Sequence, residues 1–297
     1  MVFYDMDFDN SWKALLKPGE TTLYFDVYGR TKLQVDQPEF SPINAWWLAE
    51  FSRLIYRLGP QEAPSFPAGP SRQEILNGVG LEELKFVRSE KAQCAVIKSI
   101  ADADPQYRAL VFRGTDEPID WLTNLRVRLT RWAGAGHVHE GFRDAFETVW
   151  PEVERLLTEG DGPIFYTGHS FGAALATLAA ARRPPQTLYT YGSPLVGDKV
   201  FVASLSGVRT YRVVNNRDIV TTLPPPLGYH HAGELHYITH DGSIVVNPDD
   251  VTVALDRLRR DSSAKRLRNL NGAFTDAPEF LADHAPVNYV AHLERAV

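Results

Sequence analysis

The chain has one cysteine, Cys94, and no second thiol to pair with it. An internal disulfide framework is excluded, so stability has to come from a packed core. No apolar run reaches the length of a bilayer span, and no transmembrane segment is expected. Basic residues do not dominate: 31 Lys and Arg stand against 37 Asp and Glu, a net charge of −6, which argues against nucleic acid as a partner. The first residues, Met1-Val2-Phe3-Tyr4-Asp5-Met6-Asp7, lack the basic and apolar stretches of a secretory signal. As given, the sequence reads as cytoplasmic, although a chain stripped of its leader would read the same way. No internal repeat or low-complexity tract is present.

What remains is 297 residues, 44% apolar and 23% charged, enough for one large core. Residues 1–40 read as an irregular N-terminal lead-in with a possible strand at 21–27, and residues 41–297 as one α/β domain. Asp5, Asp7, Asp9 and Asn10 loosely follow a calcium-loop pattern, but Leu16 stands where that loop needs a bidentate glutamate. Ser41-Pro42 opens a helix predicted to reach about residue 58, with Ser41 as cap and Trp46, Leu48, Phe51, Leu54 and Ile55 in helical period. Apolar segments at 84–87, 93–97, 109–112, 162–167, 187–191, 209–214 and 234–238 read as strands. A helix is predicted at 141–157 and a last one at 286–294. This alternation predicts a mostly parallel sheet with helices on both faces, and Asp241-Gly242 predicts an edge hairpin.

One stretch carries the chemistry. Gly168-His169-Ser170-Phe171-Gly172 follows the apolar Ile164-Phe165-Tyr166-Thr167 and precedes an alanine-rich run from Ala173 to Ala180. Gly-x-Ser-x-Gly is a weak pattern alone. Between a strand and a helix it becomes a sharp turn that exposes a serine hydroxyl at the end of a sheet. A serine needs an adjacent base, and the base needs an acid that fixes its tautomer. On α/β sheets carrying such a serine, the acid and then the histidine follow it in the chain.

Asp218, just after the strand at 209–214, is the best-placed acid. Asp198, Asp249 and Asp250 read better as helix caps. His284 lies in a loop just before the last helix, whereas His292 lies within that helix. His230, His231, His236 and His240 form the densest histidine group but lack the spacing of a metal site, and no metal is expected. An oxyanion hole calls for the backbone N–H of Phe171, next to the nucleophile, and for donors on the loop after an earlier strand. Thr115, in Phe112-Arg113-Gly114-Thr115, fits with both its N–H and its hydroxyl, though it could simply form a turn.

These residues, with Val138-His139-x-Gly141-Phe142, Tyr191-Gly192-Ser193-Pro194-x-Val196-Gly197, Asn215-x-x-Asp218 and Asp283-His284, occur in an order that resembles the class 3 lipases. That is the α/β-hydrolase family of the fungal triacylglycerol lipases and their bacterial and plant relatives. The resemblance runs from about residue 42 to 292. It implies an α/β-hydrolase fold, Ser170 as nucleophile, Asp218 as acid, His284 as base, Thr115 and Phe171 at the oxyanion hole, and no cofactor. The implied activity is hydrolysis of acylglycerols or related lipid esters through an acyl-enzyme. Phospholipase A1 or feruloyl-type esterase activity is the alternative, and a lipase-like interaction protein without catalysis a further one.

The sequence departs from the family in two places. Phe171 and Ala173 replace the usual Leu and second Gly after the serine. Asp116, Glu117 and Asp120 precede Trp121 where fungal enzymes carry an amphipathic flap, and Asp120-Trp121-Leu122-x-Asn124-Leu125 looks closer to the bacterial and plant branches. Ile119, Trp121, Leu122 and Leu125 share a helical face that serves either as an acyl-binding lid or as a permanently buried face. Leu223, in Leu223-Pro224-Pro225-Pro226-Leu227, is a candidate wall of the substrate cleft. Arg126, Arg128 and Arg131 alternate with apolar residues as in a solvated edge strand. The basic cluster Arg257, Arg259, Arg260, Lys265, Arg266 and Arg268 reads as a solvated helix face; transient contact with a lipid surface is the other reading.

Overall fold

The computed structural model describes residues 8–20, 23–26, 29, 31–59, 62, 68–115, 127–159, 161–268 and 276–297, with backbone alone for 260–268. Its centre is a sheet of eight strands, β1 (Leu81–Arg88), β2 (Gln93–Ser99), β3 (Arg108–Phe112), β6 (Ile164–His169), β7 (Thr187–Tyr191), β8 (Thr210–Asn215), β9 (Glu234–Ile238) and β10 (Ile244–Val246), adjacent in that order. The run from β3 to β9 is parallel. The edges are antiparallel, β1 and β2 on one side and β10 on the other. The hairpin predicted at Asp241-Gly242 joins β9 to β10, with Gly242 at φ 87°. β3, entirely buried, and β7, entirely buried, show no in–out alternation because helices cover both their faces.

Two apolar clusters lie on the two faces. One gathers the helix Pro42–Leu54 and the last helix, Pro286–Glu294. The other gathers the helix Phe171–Arg182 with residues 142–157. Ser41 caps the first of these helices, accepting from Asn44 N–H at 3.2 Å, and that helix ends at Leu54, short of residue 58. The helix predicted at 141–157 is two helices, Glu140–Phe146 and Trp150–Thr158. Pro151 sits in the first turn of the second, where its ring and missing N–H stop the first from running through.

The lead-in is ordered where it is described. A short helix, Trp12–Leu16, is capped by Ser11 and packs on Ala277, Leu281, Ala282 and Ala285. Asp9 and Asn288 exchange two hydrogen bonds, Asp9 N–H to Asn288 Oδ1 at 2.7 Å and Asn288 Nδ2 to Asp9 O at 2.9 Å. A five-residue helix is too short to show an apolar period in the sequence. Residues 23–26 of the possible strand at 21–27 are not extended into any sheet; Asp5 and Asp7, and the lid residues Ile119, Trp121, Leu122 and Leu125, lie outside the described residues.

Arg128 precedes β4 (Leu129–Arg131), which pairs with β5 (His137–His139) in a separate two-stranded sheet. The alternating arginines therefore border a small hairpin; Arg126 lies outside the described residues.

Candidate active site

β6 ends in a turn whose backbone is forced. Ser170 has φ 59° and ψ −128°, a region that side-chain-bearing residues rarely occupy, and it is immediately followed by the helix Phe171–Arg182. Both flanking glycines are required by space. A methyl group on Gly168 would collide with the carbonyl carbon of Gly172, and one on Gly172 with the carbonyl oxygen of Phe112. The turn is thereby pressed against the end of β3, and Ser170 N–H is fixed to Tyr191 O at 2.9 Å.

The hydroxyl of Ser170 lies 2.9 Å from His284 Nε2. His284 Nδ1 lies 2.9 and 2.8 Å from the two carboxylate oxygens of Asp218. All three residues are buried. With Nδ1–H donating to the carboxylate, Nε2 presents its lone pair to the serine, the tautomer a general base needs. Asp218 follows β8 and His284 follows the short helix Glu279–Ala282, so the chain brings together residues 114 positions apart.

Both supports are held by further bonds. Asp218 Oδ1 accepts from Val220 N–H at 2.9 Å, and Oδ2 accepts from the Tyr289 hydroxyl at 2.6 Å. Tyr289 is itself held by Asn215 N–H at 3.1 Å. Its burial, together with the Asp218 charge, pushes the phenol well above its ordinary value, so it stays a donor at any working pH. The base loop is tied at Asp283, whose carbonyl accepts from Asn215 Nδ2 at 3.0 Å and whose carboxylate accepts from Arg217 N–H at 3.0 Å.

A second line of bonds reaches the base from behind. His169 Nε2 lies 2.6 Å from His284 O, and because a carbonyl only accepts, Nε2 carries the proton. Nδ1 of the same ring then accepts from the Tyr56 hydroxyl at 2.9 Å. Burial, and then the neighbouring His284, hold His169 well below the ordinary histidine value, so it is neutral. Behind the acid loop, Asp256 accepts from Asn216 Nδ2 at 2.6 Å, Tyr237 OH at 2.9 Å and His240 N–H at 3.0 Å, and pairs with His240 Nδ1 at 2.5 Å.

Phe171 is the first residue of its helix, so its N–H has no partner within that helix and points out of the positive end. Thr115 follows β3 and Gly114, beside the turn, because β3 and β6 run parallel with Phe112 opposite Gly168. Gly114 has no room for a side chain: a methyl group there would meet the Tyr56 hydroxyl. Leu223 lies one helical turn past Asp218 and its carbonyl accepts from Leu195 N–H at 2.7 Å.

The other candidates sort themselves by contact. Asp198 caps the helix Lys199–Ser204, accepting from Phe201 N–H at 2.8 Å. Asp249 caps the helix Asp250–Arg268 through Thr252 N–H at 2.7 Å. His231 and His236 go to different partners, Thr221 O and Glu234. His292 is buried within the last helix. Tyr289, Tyr56 and Asn216 escaped the sequence reading because nothing local marks them. Gly192 belongs to the motif from Tyr191 to Gly197, yet the reason for a glycine there is visible only in three dimensions.

Residues 109–228 match a sequence model of the family described as lipase (class 3). Phospholipase A(1) DAD1, chloroplastic, of Arabidopsis thaliana is 36% identical over 145 residues, 38% of this chain and 32% of that protein. Secreted mono- and diacylglycerol lipase 1 of Fusarium solani is 37% identical over 142 residues, 42% of each. The chain thus spans less than half the length of these curated relatives. The crystal structure of a lipase from Rhizopus microsporus var. chinensis superimposes with a TM-score of 0.55 at 22% identity, over 87% of this chain and 96% of that one, a likeness of fold. Over residues 109–228 this chain is thus similar to the class 3 lipases, and its sheet has the α/β-hydrolase arrangement.

Proposed function

We propose that this chain is a serine carboxylester hydrolase acting on lipid esters, with Ser170, His284 and Asp218 as its triad. The observation that carries the reading is the unbroken run of hydrogen bonds from Ser170 Oγ through His284 to Asp218, 2.9 Å and then 2.8 Å. His284 Nε2 takes the serine proton as Oγ attacks the ester carbonyl. The tetrahedral oxyanion lies against Phe171 N–H and Thr115. His284 then gives its proton to the departing alcohol. Water, activated by the same imidazole, releases the acid from the acyl-enzyme.

Two relatives support a lipid ester as the substrate class, one bearing the name of a phospholipase A(1) and one that of a mono- and diacylglycerol lipase. Acylglycerol is the first reading and phospholipid the second. Ser170→Ala is expected to abolish p-nitrophenyl ester hydrolysis and fluorophosphonate labelling with an unchanged circular dichroism spectrum. Near wild-type turnover in that variant would overturn the reading, and a series of headgroups and acyl lengths separates the two substrates.

A further inference from the structure

The two apolar clusters on the faces of the sheet contain none of residues 8–16. Those residues build a third, small cluster, in which Ala14 and Leu15 are buried against Ala277, Leu281, Ala282 and Ala285, with Ile219 packed at its border. This cluster adjoins both catalytic loops. Ala282 and Ala285 flank Asp283-His284, and Ile219 directly follows Asp218. Five residues do not sustain a helix alone in water, so Trp12–Leu16 is helical because it lies on that surface.

The base sits in a tight turn. Ala285 N–H donates to Ala282 O at 3.0 Å, and Asp283 and His284 are the two residues between them. Ala282 O also accepts from Asn288 Nδ2 at 2.8 Å. The same amide nitrogen donates to Asp9 O at 2.9 Å, and the amide oxygen accepts from Asp9 N–H at 2.7 Å. Asn288 is fully buried. Both its amide hydrogens and its oxygen are used, which fixes the way the amide faces. The carbonyl that closes the His284 turn is thereby tied to the backbone of residue 9.

A second tie lies two residues on. Ala277 N–H donates to Asn10 O at 2.8 Å, and Ser11 faces Asp276 as an antiparallel pair. Asn215 and Arg217 hold Asp283 from the acid loop, and the lead-in supplies the rest of the grip. The grip matters because His284 has to meet Ser170 and Asp218 at once. Misplacing a catalytic group by about 1 Å costs about 100-fold in rate.

We propose that Asn288 is a positioning residue for His284 and that residues 8–16 brace it. With Asp9 in place, the Asn288 amide holds Ala282 O, and the turn keeps the imidazole between Ser170 and Asp218. The inference rests on the triad proposed above, but the bond from His284 to Asp218 can be read without a substrate.

The test uses the whole chain. Asn288→Leu keeps the branched shape and removes all three bonds. Leu15→Asp places a charge in the small cluster and releases the brace without touching Asn288. Each is expected to lower kcat for a p-nitrophenyl ester about tenfold at unchanged KM, with an unchanged circular dichroism spectrum. The strongly downfield proton resonance of His284 Nδ1–H, measured without substrate, is expected to broaden or vanish in both. Rescue separates positioning from bulk stability. Ser11 and Asp276 form a non-hydrogen-bonded pair, at a spacing that a disulfide spans. With Ser11→Cys and Asp276→Cys added to Leu15→Asp, oxidation by glutathione disulfide is expected to restore kcat and the resonance, relative to the same protein reduced. Wild-type kcat and an intact resonance in a folded Asn288→Leu or Leu15→Asp variant overturn the proposal. So does a fall in kcat that oxidation leaves unchanged. If Asn288→Leu does not fold, Leu15→Asp with and without the disulfide decides. Turnover that survives Ser170→Ala removes the esterase reading, while the resonance still reports whether the brace holds His284 on Asp218.

Discussion

Gly192 lies directly against His284: a methyl group on it would stand 2.9 Å from His284 Nδ1 and 2.6 Å from Asp218 Oδ2. The relationship follows from strand order. Ser170 leaves the sheet after β6 and Asp218 after β8, with β7 between them. The acid and the base have to meet over the end of β7, and the residue there can carry no side chain. Its φ of 56° adds a second reason for glycine. Gly192→Ala is expected to lower kcat by about 100-fold by displacing the imidazole, with a smaller change in KM. Crystallography or a slowed fluorophosphonate reaction checks it, and an alanine variant with wild-type kcat would contradict the geometry.

Tyr289 gives Asp218 a hydrogen bond at 2.6 Å and receives one from Asn215 N–H. Tyr289→Phe removes both without changing the ring. The expected outcome is a roughly tenfold fall in kcat at constant KM, with a loss of about 1–2 kcal/mol in urea unfolding. If the variant is destabilised but catalyses normally, the hydroxyl braces the fold and not the acid.

Asp256 gathers donors from Asn216, Tyr237 and His240 around one carboxylate. Asn216 is two residues before Asp218 and has a positive φ of 32°, so the cluster holds the acid loop in a conformation it would not adopt alone. Asp256→Ala strands those donors and should destabilise the protein by about 2–4 kcal/mol in chemical denaturation. A variant as stable as the wild type would show that the cluster is dispensable.

Acid should destabilise the fold through buried histidines. His169 is held well below the ordinary value by burial, and His231 is held down to about 3, by burial first and then by the charge of Arg212. In the unfolded chain both titrate near about 6.5. Below that pH the unfolded state binds more protons than the native state. Their contribution is therefore complete above about 6.5 and is lost as pH falls toward the native values, at up to about 1.4 kcal/mol per pH unit for each histidine. The urea midpoint should drop between pH 7 and pH 4, and His231→Gln, which keeps a donor for Thr221 O, should reduce that slope. A midpoint independent of pH over this range would contradict the assignment.

The strands were the most legible part of the sequence. The span at 187–191 coincides with β7, because a strand buried on both faces is a short run of apolar and β-branched residues bounded by polar or turn residues, and the span at 234–238 coincides with β9, whose last three residues are buried. Helix ends were less legible. Pro151 could have warned of the break at 147–149, but a proline in a first turn looks like one in a helix interior until the start of that helix is known.

The chain by itself determined which atoms could react and in what order they come: a serine on a strand-to-helix turn, then a carboxylate, then an imidazole, with glycines where backbone must crowd backbone. Those are local requirements, and local steric and electronic demands are written in neighbouring residues. Only the folded sheet decided what stands around them. Gly192 under the imidazole, Tyr289 on the carboxylate, and Tyr56 and His169 behind the base are contacts between residues far apart in the chain. No residue's neighbours in sequence determine such contacts; strand order and helix packing do.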